Sequence, residues 1–302
     1  MADVPARPQA VRVDSAKLSR DLWIRKLGKA GLFLSPFVSY FFLWAPIVVL
    51  IVFSFNNSPS VSVWRGFTTK WYANIFAARS GEASFVTEKL LESLGNSLIV
   101  AFSAALIATT IGTMLALAIH RGNFPGKRII DALLYIPVVI PEITQGVSLA
   151  IFFRILFDYY QGITGERIVP GFATIIIAHV AFNISYVVIV VRARLATMND
   201  TLEEAANDLG ANHFQTFWRI TFPLLLPGIM AGALLALTLS LDDYVVTFFT
   251  KGVGDDTLPI FVYGMLKQRV SPEINAISTL MILASTLLIG VSLLLQRGDS
   301  SS

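Results

Sequence analysis

The stretch RARLATMNDTLEEAANDLGANHFQTFWRITFP, running from Arg192 to Pro223, decides the fold because it is polar and patterned between two long apolar neighbours. Thr201 stands three residues ahead of Glu204, the spacing of a capping box, in which the hydroxyl accepts from the third helical amide and the carboxylate reaches back to the cap. A short helix is therefore expected after Thr201. Gly210 falls where a left-handed residue would close that helix. Asn212 is placed to cap a second helix with Gln215 at its third position, and Pro223 is expected to interrupt it. The stretch reads as helix, glycine turn, helix.

Working outward, the preceding apolar run is Ile168 to Val191 and the following one extends from near Leu224 to Thr250. A bilayer core about 30 Å thick needs roughly 20 apolar helical residues, because an unpaired backbone polar group is not tolerated in lipid. Four further runs meet that length: Gly31 to Ser54, Ser93 to Ile119, Ala132 to about Phe157, and Ile274 to Gln296. The expectation is an all-α membrane protein of six transmembrane helices. A cytoplasmic arm over residues 1–30 would precede a transmembrane domain over 31–302, with its core at 93–296 and the polar loop at 193–223.

Composition agrees. Of 302 residues, 55% are hydrophobic and 14% charged, where an average soluble chain carries about 25% charged residues. The mean hydropathy is +0.67. With no cysteine, disulfide frameworks, iron–sulfur clusters, thiolate zinc sites and cysteine nucleophiles are excluded. The net charge of +3 points to nucleic acid only if the bases cluster on one face. Here they report topology instead. With both termini cytoplasmic, the inner segments hold fourteen of the 23 Lys and Arg residues, seven of them before Ala30, and the outer segments hold nine. Basic residues are retained on the cytoplasmic side, so this orientation is preferred. The first apolar run is too long for a signal peptide. Ahead of it, Leu18, Leu22, Trp23 and Leu27 among basic residues suggest a short helix on the inner surface, preceded by a disordered tail up to about residue 15.

The loop carries a further signature. Glu204-Ala205-Ala206, then Gly210, Ile220 and Pro223 resemble the EAA loop of the inner-membrane permease subunits of binding-protein-dependent ABC importers, with Phe222 where leucine is usual. The resemblance implies the type I importer permease fold in a bacterial inner (plasma) membrane. It also implies that the first loop helix docks on a cytoplasmic ATPase and passes its motion to the spans. Glu204 would offer charge, Ala205 and Ala206 close approach, and Gly210 the turn. No ATP site is read in this chain. The nearest string, Gly122 to Arg128, is one residue short between its glycines and has arginine where the magnesium-binding hydroxyl belongs. ATP and magnesium are thus expected on an ATP-binding partner, in two copies, beside a second homologous permease subunit, an external substrate-binding protein and membrane lipid, with no nucleic acid.

Ionisable groups inside spans cost about 2.5–3.5 kcal/mol at the membrane centre and mark function. Glu142, Asp242 and Asp243 are such groups, with no base at comparable depth. Adjacent helical positions point about 100° apart, so one aspartate is expected on the path and the other held by a helix terminus or by a hydroxyl such as Ser240. Tyr244 adjoins them, and His179, Asn183 and Tyr186 form a polar stripe on the fourth span. Pro137 and Pro141 suggest a break in the third span, of the kind tolerated where backbone lines a cavity. Carboxylates flanked by rings suit a small cation.

The strings Gly66 to Tyr72, Ser240 to Phe249 and Val270 to Ala276 narrow the likeness to the C-type permease subunit of bacterial spermidine/putrescine importers. Opines, amino-acid derivatives and other small cations or zwitterions are the alternative cargo. An external protein would deliver it to the outer loops 56–92 and 251–273. Other classes fit less well. An aspartyl intramembrane protease needs its two aspartates on different helices, and the zinc type needs His-Glu-x-x-His, which His120, His179 and His213 do not form. A secondary transporter would not need the loop, and no inverted repeat is evident.

Overall fold

A computed structural model describes residues 15–58, 63–77, 85–199, 201–268 and 272–299. The first fourteen residues, Asp200, parts of both outer loops and the start of the Val270 to Ala276 string lie outside them, as do the side chains of Leu18, Leu22 and Leu27 on which the surface-helix reading rests. The elements are α1 (Ser15–Phe53), α2 (Lys70–Ala77), α3 (Phe85–Arg121), α4 (Lys127–Val139), α5 (Glu142–Thr164), α6 (Phe172–Leu195), α7 (Thr201–Asp208), α8 (His213–Thr216), a π turn (Phe217–Thr221), α9 (Phe222–Asp242), α10 (Val245–Thr250), α11 (Leu258–Gln268) and α12 (Pro272–Asp299). Extended pairing among the described residues is limited to a bridge between Asn56 and Phe67.

Among the described residues, four helical stretches are long and apolar enough to cross a membrane: 31–53, 87–121, 172–195 and 213–242. The expected third span is two helices, α4 and α5, which qualify together but bend by 111°. The cause is local. Pro141 has no amide to donate and biases Ile140 to extended backbone, and Ile140 lies at ψ 133°. The expected sixth stretch lies in α12, whose apolar part is described as Pro272–Leu283. α1 is continuous from Ser15, so the basic segment 15–30 is helically joined to the first span.

The chain divides into two compact units. One comprises residues 1–73 and 271–302. Within it α1 packs on α12, and the segment after α1 is tied by Asn56, whose side chain donates to the Val63 carbonyl at 2.8 Å and accepts from the Arg65 amide at 2.9 Å. Phe55 stacks on Phe67 at 5.2 Å.

The other unit, residues 74–270, is a bundle in which α3, α6 and α9 share the most extensive contacts. Its core gathers Ala116, Ile119, Val187, Val191, Leu225 and Ala236. Small residues admit close approach, as membrane helices require: a Cβ on Gly112 would lie 2.8 Å from the Val187 side chain. At one end Arg192 pairs with Asp131 and Arg194 donates to the Leu224 carbonyl at 3.0 Å. At the other, Thr174 donates to the Thr250 carbonyl at 2.6 Å and Asn96 to the Asp256 carbonyl at 2.9 Å.

Two further expectations are corrected. The fifth span does not run to Thr250: α9 ends at Asp242, and Asp243 is extended with ψ 123°. Its carboxylate accepts from the amides of Val246 at 3.3 Å and Thr247 at 2.7 Å, competing with the helical ladder as short acidic side chains do. Nor does Pro223 interrupt the second loop helix. Helix is continuous over 213–242, because a π turn precedes the proline and Phe222 donates to the Phe217 carbonyl, five residues back. The wider turn absorbs the register that a proline ring would otherwise clash with.

Candidate functional site

The membrane acids come together at the α9–α10 break. Glu142, Asp242, Asp243 and Tyr244 line one cavity of about 230 Å³, with Pro137, Gln145, Phe182, Tyr186 and Thr238 among its other walls and, among the described residues, no Lys, Arg or His on its lining. Glu142 is the first residue of α5, where the positive end of the helix dipole favours a carboxylate. Glu142 and Asp242 are exposed. The broken third span contributes through Gln145, whose amide donates to the carbonyls of Pro137 and Ile140 and satisfies backbone acceptors left open by the bend.

Asp243 is different. Besides the two amides it accepts from the Thr247 hydroxyl at 2.8 Å, and His179 Nε2 lies 3.3 Å from the same carboxylate, both side chains being almost fully buried. His179 is also 2.6 Å from the Ser240 hydroxyl through Nδ1 and 2.9 Å from that of Thr247 through Nε2. Of the two aspartates, therefore, Asp242 is open to the cavity and Asp243 is held by a helix start and a hydroxyl. That hydroxyl is Thr247; Ser240 holds the histidine instead. The expected stripe on α6 divides. Tyr186 lines the cavity, whereas His179 is enclosed behind it and Asn183 is fully buried off its wall. Tyr244, on the cavity wall, lies 4.5 Å from Tyr263 and 5.8 Å from Phe248, centroid to centroid.

The loop at 193–223 forms the expected hairpin. Gly210 closes α7 at φ +85°. The Ala211 amide donates to the Ala206 carbonyl and the Gly210 amide to that of Asn207, the paired bonds of a Schellman ending. Asn212 and Gln215 form a reciprocal capping box at the start of α8. The start of α7 departs from expectation. Thr201 is itself helical, and its amide is held by the Asn199 side chain at 3.1 Å, so Asn199 supplies the cap function read into Thr201. Glu204 and Ala205 are exposed while Ala206 packs inward. Ile220 is half-buried and Pro223 exposed. Leu202, Leu209, Phe214 and Trp218 are large apolar groups left in the open, a surface that water does not favour and a partner could cover.

Sequence reasoning passed over Glu203, which accepts from Arg121 at the end of α3 and, at 2.6 Å, from the Thr221 hydroxyl in the π turn. It also passed over Gln145. For Glu203 the signal was present but overshadowed, since it adjoins the motif glutamate. For Arg121 there was none beyond a charge at a span end.

Residues 108–298 match the family model described as "Binding-protein-dependent transport system inner membrane component". The chain is 37% identical over 246 residues to the putrescine transport system permease protein PotI of Escherichia coli K12, covering 81% of this chain and 83% of that one. To the spermidine/putrescine transport system permease protein PotC of Haemophilus influenzae it is 35% identical over 264 residues, covering 87% and 95%. A crystal structure of a bacterial ABC transporter that imports the acidic polysaccharide alginate shares the fold at TM-score 0.67 and 19% identity, over 90% of this chain and 95% of that one.

Proposed function

This chain belongs to the family of binding-protein-dependent transport system inner membrane components, and from that premise we propose that it is the permease subunit of an ATP-driven polyamine importer. It is a transport component and not an enzyme. The observation that carries the cargo is the cavity: three carboxylates on a lining that holds no base. A polyamine is a chain of ammonium groups, and each needs an acceptor once it leaves water. Glu142 and Asp242, both exposed, are the two that meet cargo. Asp243 and His179 shape the break that presents Asp242. Tyr244, Tyr186 and Phe182 add ring faces that attract an ammonium without binding it irreversibly.

In this reading the chain crosses the bacterial inner membrane six times with both termini cytoplasmic, beside a second permease subunit. A periplasmic binding protein delivers the polyamine to the outer loops, and cytoplasmic ATPase subunits hold ATP and magnesium. The α7–α8 hairpin, with Glu204, Ala205, Leu209 and Phe214 outward, is the surface they engage. The relatives named for putrescine and spermidine support the cargo, and the fold shared with another ABC importer supports the architecture.

The test is ATP-dependent uptake of labelled putrescine and spermidine by the reconstituted complex. A hydrogen bond to a charged group contributes about 1.5–3 kcal/mol, so Asp242→Asn and Glu142→Gln should each raise the half-saturating polyamine concentration roughly ten- to hundredfold in assembled complex. Unchanged polyamine uptake by the double variant overturns the cavity's role. Preferred uptake of an opine or amino-acid derivative changes the cargo and leaves the importer. Uptake without an ATPase overturns the importer reading.

A further inference from the structure

Three basic residues at one end of the bundle, which the charge pattern assigns only to membrane topology, are bonded across elements. Arg192 joins α6 to α4, Arg194 joins α6 to the start of α9, and Arg121 joins α3 to α7. The third is unlike the others because it ends on the hairpin. The Glu203 Oε1 atom accepts from both Arg121 and the Thr221 hydroxyl, and Arg121 Nη2 in turn donates to the Thr221 Oγ1 at 3.2 Å. Each group thus touches the other two, and the three come from α7, the end of α3 and the π turn.

Resting on the importer reading, we propose that Arg121, Glu203 and Thr221 form a latch through which displacement of α7 reaches α3 and α9. The covalent route alone is poor at this. α7 is separated from α6 by a short connection and joins α8 through Gly210, where the chain turns in left-handed backbone at a residue without a side chain. An exposed ion pair would add little, and the Glu203 and Arg121 side chains are 27% and 44% exposed. Thr221, however, is fully buried, so its hydroxyl fixes the direction in which the pair can lie. Its place in a π turn matters as well, since such a turn is where a helix can change hydrogen-bond register without unfolding. A pull on Glu203 therefore acts on the π turn of the 213–242 helix, while Arg121 carries the same pull to α3. These are positioning residues; none meets cargo or nucleotide.

The experiment measures polyamine moved per ATP hydrolysed in the reconstituted full complex, together with recovery of all subunits. Glu203→Arg, Arg121→Glu and Thr221→Val should assemble and hydrolyse ATP but lower that ratio roughly two- to tenfold, the scale of coupling between residues sharing one network. Thr221→Ser, which keeps the hydroxyl, should retain the ratio, and the exchange of both charges together should recover part of it. An unchanged ratio in the single variants overturns the latch. So does a loss of ratio that always accompanies loss of subunits, because that is a structural role. An assembled double exchange that recovers nothing overturns the pairing. Wild-type uptake that proceeds without an ATPase overturns the importer reading beneath it, and is distinguished by failing before any variant is made.

Discussion

At position 183 an amide side chain sits fully buried on α6, and neither its nitrogen nor its oxygen is hydrogen-bonded among the described residues. Leaving a buried polar group unpaired costs about 1–3 kcal/mol. Asn183→Leu keeps the branched shape and the number of heavy atoms and removes that cost, so the purified protein should melt at higher temperature with transport intact. A variant that melts higher but no longer transports would put the amide to work in a conformation other than this one. His179, one turn away, shows the contrast: it is equally buried but contacts Ser240, Thr247 and Asp243. Periodicity in the sequence groups 179, 183 and 186 on one face and stops there. Which of them finds a hydroxyl depends on where α9 breaks, a fact of another element. The two aspartates repeat the lesson. That they must differ follows from helical geometry, but which is open and which is held follows from the Thr247 amide and hydroxyl, beyond what a span-length apolar window conveys.

Helices end where local chemistry offers their backbone something else, and the hairpin was legible to the extent that this chemistry is local. Gly210, Asn212 and Gln215 act as their spacing implies because each bond spans five residues or fewer. Thr201 did not, because the Asn199 side chain two residues earlier accepts from the Thr201 amide that the Glu204 carboxylate was expected to reach, and the capping pattern does not rank two eligible residues. Pro223 did not break its helix because five residues ahead of it widen into a π turn, which leaves no compositional mark. Two variants follow. Asn212→Ala removes the side-chain cap at a cost of about 1 kcal/mol. Gly210→Ala places a Cβ in left-handed backbone at a cost of about 1–2 kcal/mol. Hydrogen exchange on the assembled complex should show faster exchange over 201–216 in both, with 172–195 unchanged. Equal protection in wild type and variants would mean that the partner surface, and not the caps, holds the hairpin.

The bend between α4 and α5 has a consequence for how the whole chain crosses the membrane. A helix pair bent by 111° is either one broken span or a re-entrant loop, and the two differ by one crossing, which reverses everything downstream. Bonds within the 74–270 unit discriminate. Arg121, at the end of α3, is bonded to the hairpin residues Glu203 and Thr221. Thr174, at the start of α6, is bonded to Thr250 beyond the far end of α9. The start of α3 is on that same far side, through Asn96 and Asp256. α3 and α6 therefore run in the same direction, and the chain between them must return from the hairpin end to the other. α4 and α5 make that return together, with α5's 23 residues rising roughly 35 Å, the geometry expected of one crossing. Because the chain has no cysteine, single introduced cysteines report only their own position. Asn123 and Glu166, on either side of the bent pair, and Val253 are all exposed. In intact cells whose outer membrane is opened, an impermeant thiol reagent should label Glu166→Cys and Val253→Cys. Asn123→Cys should react only after the inner membrane is permeabilised. Labelling of positions 123 and 166 from the same side would make the pair re-entrant, remove one crossing and leave the two termini on opposite faces. The basic residues would then sit on the wrong side of half the chain, at odds with the retention of Lys and Arg that orients such proteins.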